Sequence, residues 1–97
     1  MALDPVIHQE TRLRIMALLH ALGEGAQVEF SWLKDALGLT EGNLSSHLAK
    51  LEEAGYVRVE KGYQGKRPRT WVALTPQGRA AYEAHRRALL ELLRSEG

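Results

Sequence analysis

A mainly α-helical α+β fold, with one small antiparallel β-wing and a long helix after it, is what this sequence predicts. Three observations carry that expectation. Apolar residues recur at helical spacing in four separate stretches; two shorter stretches alternate apolar with polar residues, as half-buried strands do; and glycine, threonine or proline stands at the boundaries between them.

The 97 residues are expected to form a single domain, 1–97. A chain this short buries only about 60 to 65% of its unfolded surface, so a second subunit would add needed stability. Hydrophobic content of 44% and charged content of 26% are ordinary for a soluble globular protein. No apolar run approaches the roughly 20 residues that span a bilayer. The opening MALDPVIHQE has neither a basic segment nor an apolar signal core, and there is no cysteine, so a cytoplasmic location is expected. Without cysteine there is no thiolate metal site or thiol nucleophile, and the four histidines follow no metal-ligand spacing, so neither metal nor cofactor is expected.

Taken in order, Asp4 and Pro5 precede a helix over His8–Leu22. On a helical wheel Leu13, Met16, Ala17 and His20 make one arc, and Ile15, Leu18, Leu19 and Leu22 make another, with Arg12 and Arg14 between. A helix apolar on two sides is buried on two sides: one arc lines the core, and the other is expected to meet a second copy of the chain. Gly23–Gly25 end this helix. Gln27–Glu29 can form a short strand, after which Ser31 caps a helix reaching Leu37, with Trp32, Leu33, Ala36 and Leu37 turned inward. A base-stacking role for Trp32 is the alternative to packing, and packing is the preferred reading.

Gly38, Leu39 and Thr40 then turn the chain into a helix over Glu41–Ala54, with Thr40 as N-cap and Gly55 as the left-handed closing residue. Leu44, Leu48 and Leu51 share one stripe of it and tether it to a core. Its other side carries Gly42, Asn43, Ser46, Ala49 and Lys50, with Ser45 and His47 on the flanks. Small hydrogen-bonding residues of this kind can approach base edges in a groove. Two helices joined by so short a turn cross sharply, which presents the second of them outward.

Tyr56–Lys61 alternates like a half-buried strand, and Thr70–Leu74 is a second strand rich in β-branched and aromatic residues. The loop between them, Gly62–Arg69, gathers Lys66, Arg67 and Arg69. From Tyr56 to Arg69 five basic residues face one acid, in a chain whose net charge is only +1. Such a basic finger can clamp phosphates or enter a minor groove. Thr75 and Pro76 announce a last helix to about Arg94, whose Ala81, Tyr82, His85, Leu89, Leu92 and Leu93 make a long apolar stripe. Tyr82, Leu89, Leu92 and Leu93, with Ile15, Leu19 and Leu22, are the expected dimer interface. His20 and His85 sit in apolar stripes, where a satisfied core histidine and a titrating interface switch both fit.

The order of elements is that of a winged helix-turn-helix with an added C-terminal dimerisation helix. LSSHLAKLEEAGYV resembles the recognition-helix segment of ArsR-type and MarR-type transcriptional regulators, LTPQGRAAYE resembles the start of their C-terminal helix, and Leu13, Arg14 and Ile15 resemble their first helix. The resemblance covers nearly the whole chain and implies a homodimeric regulator, a repressor in the favoured form, on a pseudo-palindromic double-stranded DNA operator. Thr40, Asn43, Ser45, Ser46, His47 and Lys50 are then the groove-facing set, with Lys66, Arg67 and Arg69 on phosphates. The metal-sensing branch of the ArsR group carries a cysteine-containing box that this sequence does not have, and MarR-type chains are longer, with terminal helices shaping a ligand pocket, so an effector of unknown kind is left open. Enzymatic activity is not expected: Ser45 or Ser46 beside His47, and Glu52 beside Glu53, are too close along one helix to oppose each other across a substrate. The competing function is a winged helix that binds another protein instead of DNA.

Overall fold

Helices begin where a side chain takes over backbone donors that the helix itself leaves unpaired. The computed structural model describes residues 3–96 and gives, in chain order, α1 (Glu10–Ala21), β1 (Gln27–Glu29), α2 (Phe30–Leu37), α3 (Glu41–Glu53), β2 (Val57–Gln64), β3 (Arg67–Leu74) and α4 (Pro76–Glu96). The Gln9 side chain starts α1 by accepting from the Arg12 N–H. Helix α1 begins at Glu10 rather than His8 because the preceding residues form a turn of their own, in which the Ile7 and His8 N–H groups both donate to the Asp4 carbonyl. Thr40 accepts from the Asn43 N–H at 3.1 Å, and Gly38 and Gly55 hold φ of 67° and 82° at the ends of α2 and α3, as expected. Ser31 is not a cap: the chain enters α2 from Glu29, whose side chain makes no capping bond.

The three strands pair antiparallel in the order β1-β3-β2. Their register sets Val28, Val57, Val59, Val72 and Leu74 on one face, toward α1, α2 and α3; a slip of one residue in any strand would turn that strand's members to the other side. The core between them is made by Ile7, Ile15, Met16, Leu19, Leu33, Leu44, Leu48, Leu51, Val57 and Val72. The hairpin is longer than expected. Gly62, Tyr63 and Gln64 pair with Arg69, Pro68 and Arg67, so the anticipated loop is a two-stranded ribbon closed by Gly65 and Lys66, with Gly65 at φ 64°. Pro68 fits because β1 reaches only as far as Trp71, which leaves β3 an open edge beside the proline.

Both arcs of α1 are used within the chain. Ile15 and Leu19 are 0% and 2% exposed, so they have no surface left for a second copy, which corrects their placement in a dimer interface. Helices α3 and α4 and strand β3 wrap α1 more completely than its length alone suggests, and of its two apolar arcs only Leu22 at its end stays 40% exposed. Trp32 is also corrected: it is 46% exposed, because an eight-residue α2 turns only Leu33 fully inward.

One hydroxyl organises the start of α4. Thr75 Oγ accepts from the Gly78 N–H at 2.9 Å and donates to the Gly55 carbonyl at 2.6 Å, joining the cap of α4 to the end of α3. The N-terminal segment is fastened beside it. The Tyr56 hydroxyl donates to the Asp4 carboxylate, a bond that, with burial and the Asp4 charge, pushes the tyrosine pKa up to about 12. The Asp4 N–H donates to His85 Nδ1 at 3.0 Å, which leaves the proton of the neutral ring on Nε2, 3.4 Å from His8 Nδ1. His85 is therefore the satisfied core histidine, 2% exposed. His20 instead meets Glu83 at 3.0 Å, tying α1 to α4.

A Cβ at Gly78 would lie 2.0 Å from the Tyr56 carbonyl oxygen, so Gly78→Ala must push α4 off β2; a loss of about 1 to 3 kcal/mol is expected, read as a fall in Tm of several degrees. Burial first, and the His8 charge second, hold the His85 pKa below the ordinary histidine value of 6.5, against an opposing pull from Asp4. The unfolded chain then takes up the proton before the folded one, so this contribution is complete above pH 6.5 and is lost as pH falls through the folded value. Thermal melts between pH 7.5 and 5 should show that loss, with a shallower dependence in His85→Gln.

Candidate nucleic-acid interface

Leu44, Leu48 and Leu51 are 0%, 3% and 0% exposed, and this complete use of one side of α3 decides what the other side shows. Thr40, Gly42, Asn43, Ser45, Ser46, Ala49 and Lys50 are all exposed, while His47 is half-buried on the flank. The Thr40 oxygen is already engaged by its cap; the serines and the Asn43 amide make no side-chain hydrogen bond among the described residues. Beside this face runs the hairpin. A cleft between them is lined by Ser45, Ala49 and Glu52 of α3 and by Val59, Lys61 and Thr70 of the sheet. Glu52 holds the two together, its carboxylate accepting from the Val59 N–H at 3.1 Å and so covering a donor on the open edge of β2.

The cations of the hairpin are not equivalent. Lys66 and Arg67 are exposed at its tip and make no ion pair among the described residues. Arg69 is drawn back to Glu29 at 3.6 Å, a carboxylate that also accepts from the Ser31 hydroxyl at 3.4 Å, and the Arg69 Nε is buried with no hydrogen-bond partner among the described residues. Arg58 is paired with Glu60 at 2.7 Å. Of the three cations expected on a free loop, two are free. Sequence reasoning missed Lys61, which projects into the cleft because it shares the pleat face of Val59.

His47 is the other surprise. Its Nδ1 lies 3.2 Å from Arg12 Nη1, while Arg12 Nε donates to the Val6 carbonyl at 2.6 Å. Burial first, and the Arg12 charge second, lower the His47 pKa below 6.5. The two residues are far apart in sequence, and Arg12 showed only as a polar position between two apolar arcs, a pattern that locates a side chain without naming its partner. No hydrogen bond joins Ser45 or Ser46 to His47 among the described residues. Among those residues there is also no group of three His, Asp or Glu side chains able to hold a metal ion, and no helix is long and apolar enough to cross a membrane.

The expected interface residues of α4 divide. Tyr82 is half-buried, its ring centroid 4.9 Å from that of His20, and Leu89 is half-buried, whereas Leu92 and Leu93 are 49% and 66% exposed, next to Leu90 at 50%.

Comparison with known proteins agrees with this geometry. The family described as winged helix DNA-binding domain matches residues 11–93. An uncharacterised protein of Methanocaldococcus jannaschii is 38% identical over 87 residues, which cover 90% of this chain and 91% of that protein. A transcriptional regulator homologue from Pyrococcus horikoshii OT3 superposes with a TM-score of 0.84 at 31% identity, over 93% of this chain and 86% of that one. A chain assigned to the MarR family of transcriptional regulators, from Enterococcus faecalis V583, gives a TM-score of 0.74 at 27% identity, over 93% and 77%.

Proposed function

The chain belongs to the winged helix DNA-binding domain family, whose fold is that of transcriptional regulators and not of enzymes, and from that premise we propose a homodimeric repressor that reads double-stranded DNA with α3. The supporting observation is the division of α3 into an inner side fully used by the core and an outer side that is small, polar and exposed beside a cationic hairpin. In this reading, residues 1–97 act as one domain. Asn43, Ser45, Ser46 and His47 meet base edges in the major groove, Thr40 borders them, and Lys50, Lys66 and Arg67 meet phosphates. Arg69 contributes less than Arg67, since Glu29 offsets its charge. Occupying the groove is itself enough to exclude another protein from the same site, which is why repression is the proposed direction.

Dimerisation rests on Leu22, Leu89, Leu92 and Leu93, with the Tyr82 edge beside them. Leu90, Leu92 and Leu93 are exposed near the end of α4 and Leu22 at the end of α1, the kind of surface that a second copy covers.

Duplex binding at a series of salt concentrations tests the reading. Arg67→Ala should weaken selected and random duplexes alike and flatten the slope of log affinity against log salt by roughly one unit, the signature of one lost phosphate contact; Arg69→Ala should flatten it less. Binding that is absent or insensitive to salt would favour a protein-interaction module instead. Light scattering at micromolar concentration should give twice the chain mass for the wild type and a monomer for Leu93→Glu; a monomeric wild type refutes the dimer.

A further inference from the structure

Arginine has five N–H donors, no acceptor, and a charge it never loses in a protein. Any ring nitrogen that shares a hydrogen bond with it must therefore be the unprotonated one. Arg12 Nη1 lies 3.2 Å from His47 Nδ1, so the neutral His47 ring carries its proton on Nε2. Arg12 is itself well fixed: its backbone N–H donates to the Gln9 side chain at 2.9 Å and its Nε to the Val6 carbonyl at 2.6 Å. A histidine free to choose its tautomer can serve as donor or acceptor at Nε2, but this one can only donate. His47 lies on the flank of the face that α3 exposes, and its Nε2 has no partner among the described residues.

We infer that Arg12 is a positioning residue that, through Nδ1, locks His47 as a donor-only reader of a nucleic-acid acceptor: a guanine N7 or a phosphate oxygen. The inference rests on the DNA-binding reading above and assigns a specificity determinant within it. Arg12 need not touch DNA for this. The lowered His47 pKa, caused by burial and then by Arg12, is consistent with a ring held neutral.

Two measurements test it. In the free protein, imidazole ¹⁵N resonances should report a protonated Nε2 and an unprotonated Nδ1 for His47, giving way to a tautomer mixture in Arg12→Met and returning in Arg12→Lys, which keeps a cationic donor. For recognition, the probe is the tightest duplex that the wild type selects from a pool with a randomised centre, remade with 7-deazaguanine at each guanine or methylphosphonate at each phosphate in turn. One such replacement should cost the wild type roughly tenfold and cost Arg12→Met little further. His47→Gln, whose amide N–H₂ reaches the Nε2 position, should keep that sensitivity, and His47→Asn should lose it; both leave the Val6 contact intact. A guanine replacement identifies a base edge and a methylphosphonate identifies a phosphate, and either supports a donor. A mixed or Nδ1-protonated ring in the wild type overturns the lock. Equal losses by Arg12→Met on selected and random duplexes, with the replacement penalty unchanged, overturn the positioning role. A wild type that binds no duplex in the pool overturns the DNA-binding function and the reader role with it, while the ring spectrum separately reports the lock.

Discussion

The rotation of α3 about its own axis is set by three leucines. Burial of one leucine is worth about 1.5 to 3 kcal/mol, so Leu44, Leu48 and Leu51 together resist rolling the helix by roughly 5 to 9 kcal/mol, comparable with the whole stability of a small domain. Ser45, Ser46 and Asn43 face outward because the leucines cannot. The orientation of the polar face is thus a packing result, and Asn43, Ser45 and Ser46 are presented without a side-chain hydrogen bond of their own among the described residues.

Packing alone does not fix the hairpin or the N-terminal segment against this helix, and polar contacts take over there. Glu52 clamps the edge of β2 to α3, and Thr75 couples the end of α3 to the start of α4 with one oxygen. Asp4 reaches both Tyr56 and His85, so the segment before α1 closes over the junction where α3, β2 and α4 meet. The Thr75 and Asp4 bonds are half-buried, where an unpaired donor or carboxylate is costly, and this makes the arrangement specific rather than merely stable; the Glu52 bond is exposed. The relation of α3 to its cationic neighbour therefore depends on Glu52 of α3 itself and on Thr75 and Asp4, which lie on neither.

Elements whose signals are local were legible in the sequence. The Thr40 cap, the left-handed Gly38 and Gly55, the Thr75–Pro76 start and the leucine stripe all act within one or two helical turns, and the structure has them where the spacing puts them. What was not legible is decided by distant partners. Arg69 looks free until Glu29 is folded against it, and Arg12 looks like a solvated arginine until α1 crosses α3 beside His47. Ile15 and Leu19 have the periodicity of an exposed second face, and periodicity counts faces without saying what covers them; here the chain covers both. Trp32 was misread for the same reason from the opposite side. The hairpin was underextended because a Gly- and Pro-containing stretch has weak strand propensity, yet pairing across a two-residue reversal needs only an open edge for the proline.

Charge ties these points to recognition. The hairpin is basic in sequence, but Glu60 and Glu29 offset Arg58 and Arg69, which leaves Lys61, Lys66 and Arg67 of the hairpin and Lys50 of α3 as the cations of these two elements that make no ion pair among the described residues. Each phosphate neutralised on a duplex steepens the salt dependence by only about 0.9, so a set this small gives one copy a weak hold on DNA of arbitrary sequence. A weak general hold makes base contacts a larger share of the total, and a second copy joined through α4 would double both shares at once. The leucines at the far end of α4 stay exposed while those of α3 are buried, and the fold is drawn out to 54 Å along its long axis against 25 and 21 Å across. A chain with so few unpaired cations beside its polar face, and with exposed leucines at the end of its longest helix, suits the paired arrangement proposed above.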